Sequence, residues 1–210
     1  MADFNKIYPT IVKYEGFYVN DPRDPGGETY SGVARKFNPN WKGWQIVDKY
    51  KAEHGGYIPY NTRIPSADLE MLVKETAKTY FNNIYGDQIK SDSIATISTQ
   101  VFWGSAEGVK QVVQQAAINL GASIKADNVL GKETVKALNS LDQTKLYNEM
   151  KRLYIDYFTR LGKNQPQYAE GWLNRVKYVL SVTDTFIKKE STSIVTLFLA
   201  AGILFYVLKK

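Results

Sequence analysis

Between Tyr14 and Val33 the chain reads YEGFYVNDPRDPGGETYSGV, and no regular helix can cross it. Two prolines and four glycines in these twenty residues remove backbone donors and favour left-handed turns. Any helix that precedes this stretch must end in it. Phe4, Ile7, Tyr8, Ile11 and Val12 recur at helical spacing, and the next position on that stripe is Glu15. Pro9 is expected to start or kink the helix, and Gly16 to end it. The spacing therefore predicts a glutamate at a helix end, followed by a loop of turn residues. That loop holds Asp21, Asp24 and Glu28, and the hydroxyls of Thr29, Tyr30 and Ser31 follow directly. A short hairpin fits residues 29–35.

The remainder reads at helical period. After an aromatic, irregular section with Trp41 and Trp44, Ser66 is placed to cap a helix whose buried face is Leu69, Leu72, Val73, Thr76, Tyr80, Phe81 and Ile84. Further helices are expected over 93–103, over 107–120 with Gly121 as stop, and over 132–139. Two more follow over 142–161, ended by Gly162, and over 166–187. No repeat and no alternation of strand and helix is present, so the fold class expected is mainly α with at most a small β-hairpin.

From Thr192 to Leu208 the sequence TSIVTLFLAAGILFYVL carries no charge and is flanked by Lys188, Lys189, Lys209 and Lys210. Seventeen uncharged residues lie near the lower limit of about 17 for a membrane span, and lysines can snorkel to headgroups. The expectation is a C-terminal transmembrane helix over 192–208, joined by a hinge at 188–191. It makes the chain a single-pass membrane protein of a virion or a host inner membrane, with a membrane partner through Thr192 to Leu208. The N-terminal MADFNKIYPT lacks the basic-then-apolar pattern of a cleavable signal peptide.

Among 210 residues there is no cysteine, and the only histidine is His54. Thiolate sites, histidine metal clusters and Ser-His-Asp triads are thereby excluded, and acid–base chemistry falls to carboxylates. No cofactor and no metal ion are expected. The net charge of +6 owes half its excess to residues after Ile187. With no Arg-rich helix and no basic-aromatic alternation, a nucleic-acid partner is not expected.

A carboxylate on an apolar stripe at a helix end is disposed to a raised pKa and general-acid work. A glutamate swung into solvent is the plainer alternative. Glycoside hydrolysis needs one carboxyl to protonate the leaving oxygen and a second group across the sugar to position water or stabilise positive charge. A helix-end glutamate facing a glycine-rich loop with an aspartate and a threonine could supply both. Asp21 and Asp24 each precede a proline and could instead build Asx turns, and Glu28 could be solvated. The spacing of a twelve-residue calcium loop is absent.

The run EGFYVNDPRDPGGETYSGV resembles the E-G-G-Y-x-x-D-P-x-D-P-G-G-x-T-x-x-G signature of the glycoside hydrolase family 108 muramidases. KTYFNNIYGDQIKSDSIA and VFWGSAEGVKQVVQQAAINLG resemble the second half of those proteins. DNVLGKETVKAL is similar to the D-G-x-x-G-x-x-T pattern of the peptidoglycan-binding-type region, and GWLNRV to its end. The resemblance covers about residues 4 to 180. It implies a lysozyme-like helical enzyme that cleaves between N-acetylmuramic acid and N-acetylglucosamine, with Glu15 as catalytic acid. By analogy with phage-type lysozymes, Asp24 and Thr29 fall on the water-positioning side.

On this reading residues 1–90 form the catalytic lobe, residues 91–187 the peptidoglycan-binding-type lobe, and peptidoglycan is the partner. Tyr30, Trp41, Trp44 and Trp103 are candidates for stacking on sugar faces, with Trp172 beside them, although a large aromatic is more often core. Arg175 could pair with an acid. The resemblance suggests a bacteriophage lytic protein; the alternative is a wall-binding or structural virion protein without turnover. Two departures stand out. Phe17 replaces a glycine, which would be strained if that position required positive φ. Asn128 replaces another, a milder change because Asn tolerates left-handed backbone.

Overall fold

The computed structural model describes residues 1–21, 27–104 and 106–207, and of residues 106, 191 and 193–207 the backbone alone. Residues 4–83 form one compact unit, and residues 1–3 with 84–210 form another.

In the unit of residues 4–83, α1 (Phe4–Val12) buries Phe4, Ile7, Thr10 and Ile11 and runs through Pro9. It ends at Val12, so Glu15 lies in the turn beyond it, its N–H donating to the Val12 carbonyl at 3.2 Å. Gly16, at φ 64°, then takes the left-handed step that the turn requires. The strands β1 (Tyr18–Asn20), β2 (Glu28–Tyr30) and β3 (Val33–Ala34) form an antiparallel sheet in that order, one strand more than the expected hairpin. Tyr18 stands opposite Tyr30, and Thr29 opposite Val19 and Ala34. Ser31 and Gly32, both at positive φ (46° and 79°), make the two-residue β2–β3 turn in the form that matches strand twist.

α2 (Gly43–Glu53) occupies the section that reads as irregular in the sequence. It buries Gly43, Trp44 and Val47, with Ile46 and Tyr50 partly buried against the same core. Gly43 is dictated by packing: a Cβ there would lie 2.3 Å from the Trp41 ring. In α3 (Ala67–Asn83), Ser66 Oγ accepts from the Leu69 N–H at 3.2 Å, the cap expected from the sequence. Tyr18, Tyr30, Val33, Trp44, Val47, Ile58, Ile64, Leu69 and Val73 form the core between sheet and helices.

The other unit contains α4 (Asp92–Gly104), α5 (Ala106–Gly108), a π-helical stretch (Val109–Gln114), α6 (Gln115–Asn119), α7 (Lys132–Ser140), α8 (Gln143–Asn164) and α9 (Pro166–Val207). Every residue of α4 from Ser93 to Val101 is buried, and three of the four hydroxyls there find acceptors, that of Ser98 being without one. Thr96 and Thr99 bond back to the carbonyls of Asp92 and Ala95, and Ser93 bonds to that of Thr183. Asp142 caps α8 by accepting from the Lys145 N–H at 2.8 Å. α8 passes through Gly162 to Asn164. A Cβ on Gly162 would stand 3.0 Å from that of Ala169, so this glycine serves close approach rather than termination.

The C-terminal expectation is corrected. Among the described residues no helix is long and apolar enough to cross a membrane, so neither the transmembrane helix over 192–208 nor the single-pass localisation is supported. Leu208 lies outside the described residues. A seventeen-residue helical run rises about 25 Å, short of a hydrocarbon core of about 30 Å. Nor are residues 188–191 a hinge: they continue α9, and Glu190 Oε1 accepts from the Asp92 N–H at the start of α4 at 2.8 Å.

Candidate active site

Glu15 is half-buried in the turn between α1 and β1. That turn is held on two sides. The Ser31 hydroxyl donates to the Gly16 carbonyl at 3.2 Å and the Ser31 N–H to that of Phe17 at 3.1 Å. From the other side the Phe17 N–H donates to Asn61 Oδ1 at 3.0 Å. The backbone that presents Glu15 is thus tied to the β2–β3 turn, two residues beyond Thr29. Phe17 is not among the residues at positive φ, so replacing a glycine there costs no strain. Its ring packs against the core, and the Arg63 guanidinium lies 5.9 Å from the ring centroid.

Thr29 is half-buried in β2, with its hydroxyl donating to the Gly27 carbonyl at 3.3 Å. Asp24 lies outside the described residues. Glu28 is engaged elsewhere. It shares a sheet face with Tyr18, whose hydroxyl donates to Glu28 Oε1 at 2.6 Å, and Lys51 of α2 reaches the same oxygen at 2.5 Å. Arg35 Nε forms an ion pair with Glu28 Oε2 at 2.6 Å, off the hydrogen-bonding direction. Burial pulls the Glu28 pKa upward, but the Lys51 and Tyr18 hydrogen bonds and the Arg35 charge prevail and hold it below the usual range. Glu28 is therefore ionised at neutral pH and neutralised by its neighbours, which rules it out as a proton donor. The alternation of Tyr18, Asn20, Glu28 and Tyr30 on one face was the sequence signal for this role.

The aromatic candidates separate. Tyr30 is buried, and its hydroxyl accepts from the Ile64 N–H at 3.2 Å. Trp44 is buried, its ring N–H donating to the Asn38 carbonyl at 2.8 Å with the Arg35 guanidinium 4.3 Å above the ring. Both belong to the core. Trp41 is half-buried, edge-on to Trp44 at 5.2 Å, and lines a cavity of about 710 Å³ with Phe37 and Tyr80. Trp103 is half-buried near the end of α4, in the unit of residues 84–210. Trp172 packs against Tyr168 and Phe158, and Arg175 donates to Gln100 Oε1.

The DNVLGKET segment is organised by a residue the sequence did not single out. Gln114, wholly buried at the end of the π-helical stretch, donates to Asp127 Oδ1 at 2.8 Å and to the Val129 carbonyl at 3.1 Å. Its oxygen accepts from the Asn128 N–H at 3.0 Å. Asn128 stands at φ 68°, the left-handed backbone that a glycine would otherwise supply. Asp127 is held below the usual aspartate range, chiefly by Gln114 and then by the Val129 N–H.

The glycosyl hydrolase 108 family model matches residues 8–121, more than half of the chain. The chain belongs to the glycosyl hydrolase 108 family. A second model, described as a predicted peptidoglycan domain, matches residues 109–177, from the π-helical stretch into α9. The chain is a glycoside hydrolase acting on peptidoglycan. Its fold is similar to that in the structure of Brucella abortus SagA, with a TM-score of 0.58 at 20% identity over 87% of this chain and 94% of that one. At that identity the likeness is one of fold. None of the curated proteins compared matches the chain.

Proposed function

We propose that this family member is a muramidase that hydrolyses the β-1,4 bond between N-acetylmuramic acid and N-acetylglucosamine. Glu15 gives its proton to the leaving glycosidic oxygen, and water held by Asp24 and Thr29 adds to the anomeric carbon from the opposite face. The supporting observation is the anchoring of the Glu15 turn: Gly16 and Phe17 are bonded to Ser31 on one side and Asn61 on the other. A proton donor needs such a fixed backbone to meet the transition state without reorganisation. Glu28, locked in its ion pairs, leaves Glu15 as the acid of this stretch suited to the task. Catalysis on this reading resides in residues 1–90 and wall binding in residues 91–187, the latter in line with the match over 109–177.

Zymography on purified peptidoglycan tests the proposal, with mass spectrometry of the released ends. Muramic acid at the new reducing ends is expected from the wild type and is lost in Glu15→Gln. Reducing-end glucosamine would overturn the bond assignment, and equal clearing by Glu15→Gln the acid assignment. The bacteriophage setting has its support in the sequence pattern alone, and immunodetection in purified phage particles tests it.

A further inference from the structure

A cavity of about 330 Å³ opens along the edge of β1 away from β2, lined by Val19, Asn20, Asp21, Lys51, Tyr57 and Tyr60 among others. β1 is an edge strand, paired only with β2 among the described strands. Tyr18 points its backbone away from β2: its N–H donates to the Thr62 carbonyl at 3.3 Å, and its own carbonyl accepts from Asn61 at 2.7 Å. By the alternation of an antiparallel ladder, Asn20 turns its N–H and carbonyl to the same edge. Among the described backbone hydrogen bonds of that edge, none involves Asn20. One donor and one acceptor are thus presented to the cavity in strand geometry.

The rim supplies the apolar complement. Tyr57 and Tyr60 are 68% and 78% exposed, too exposed to serve the core, and Ile58 between them is buried and forms the floor. The left-handed Gly55 and Gly56 shape the loop that carries them. Charge decides the ligand class. Lys51 is the one cation among the described lining residues, and its ammonium is 2.5 Å from Glu28. With that charge neutralised and Asp21 on the wall, an anionic ligand gains nothing here, whereas a neutral sugar with an acetamido group meets phenol faces and a paired donor and acceptor.

We infer that this cavity is a glycan subsite, in which an N-acetylhexosamine unit of the substrate strand stacks on Tyr57 and Tyr60 while its acetamido group pairs with the Asn20 backbone. This rests on the muramidase reading for its substrate. From Gly16 to Asn20 the chain spans at most about 14 Å, so the subsite lies within a few sugar units of the bond served by Glu15.

The test is titration of full-length Glu15→Gln protein, which leaves strands uncut, with glycan strands stripped of stem peptides. Tyr57→Ala with Tyr60→Ala is expected to weaken binding about tenfold, and the paired Tyr→Phe changes to restore it to within about twofold, with an unchanged melting temperature throughout. Unchanged affinity in the alanine pair overturns the subsite, as does equal loss in the phenylalanine pair. Competition by free stem peptide but not by chitotetraose overturns the assignment to sugar. Because binding is read without turnover, a failed titration beside wild-type clearing of peptidoglycan refutes the subsite alone. Absent clearing beside a successful titration refutes the muramidase reading alone.

Discussion

Ser31 donates its hydroxyl to the carbonyl oxygen of Gly16 at 3.2 Å, joining the turn between β2 and β3 to the turn that carries Glu15. Ser31 touches no reacting atom on this geometry and acts by positioning. Removing the hydroxyl leaves the N–H of residue 31 on Phe17 but frees the Gly16 carbonyl. Ser31→Ala is expected to lower kcat about tenfold with KM little changed, at a stability cost of about 1 kcal/mol. Steady-state kinetics on labelled peptidoglycan together with a melting curve check this. An unchanged kcat would show that the Asn61 bond alone holds the turn.

Glu28 makes stability depend on acid. Its folded pKa is depressed, so its contribution is fully present above the unfolded value of about 4.3 and is lost as pH falls through the lower folded value. Lys51 is raised: burial opposes this, but its bonds to Glu28 and Tyr18 prevail. Its contribution is full below about pH 10.4 and is lost only as pH rises through its higher folded value. Glu28→Gln is therefore expected to cost about 2 kcal/mol at pH 7. The melting temperatures of variant and wild type should converge as pH falls below about 4 through the depressed folded value. A constant gap across that range would place the effect in packing rather than charge.

Elements with local chemical punctuation are legible in the sequence. Ser66 caps the helix it is expected to cap, the helix expected from residue 142 starts there with Asp142 as its cap, and Asn128 adopts the left-handed backbone its motif position calls for. In α2 the core contacts Trp44, Val47 and Tyr50 do recur at helical spacing, but the turn residues Pro39, Gly55 and Gly56 on either side obscure so short a period. The end of α9 departs from the expected hinge for a physical reason: a polar run such as KKESTS makes a break only when nothing docks on it. Glu190 docks there by accepting from the first turn of α4, a partner 98 residues away. Around the site, the acids of residues 15–28 are visible in the sequence as a group with Glu28 in a supporting place, but the partners that hold Glu28 are not. What commits Glu28 to its place is Lys51 on α2 and Arg35 beyond β3, pairings that only the tertiary fold creates.

Gln114 is the buried clamp of the peptidoglycan-domain loop, serving Asp127, Asn128 and Val129 with one amide. A leucine of similar volume would leave the Asn128 N–H and the Val129 carbonyl without this partner. Gln114→Leu is expected to destabilise the protein by about 2–3 kcal/mol and to raise amide exchange first at Asn128. Urea unfolding and hydrogen exchange read by NMR check both. Protection retained at Asn128 would mean that the loop is ordered by its own Asx turn, in which the Val129 N–H donates to Asp127 at 2.9 Å.

Asn128 isolates the backbone contribution at the same loop. Its φ of 68° suits glycine and asparagine but crowds a β-branched side chain. Asn128→Gly gives up the exposed bond from its amide to Glu107 at 3.3 Å and relieves the left-handed strain, so its melting temperature should match that of the wild type closely. Asn128→Val keeps neither benefit and should lose about 2 kcal/mol. Thermal melts of the two variants decide the matter. If glycine and valine destabilise equally, the side-chain contacts of Asn128 rather than its backbone govern the loop, and the tolerance of this position for asparagine has another source.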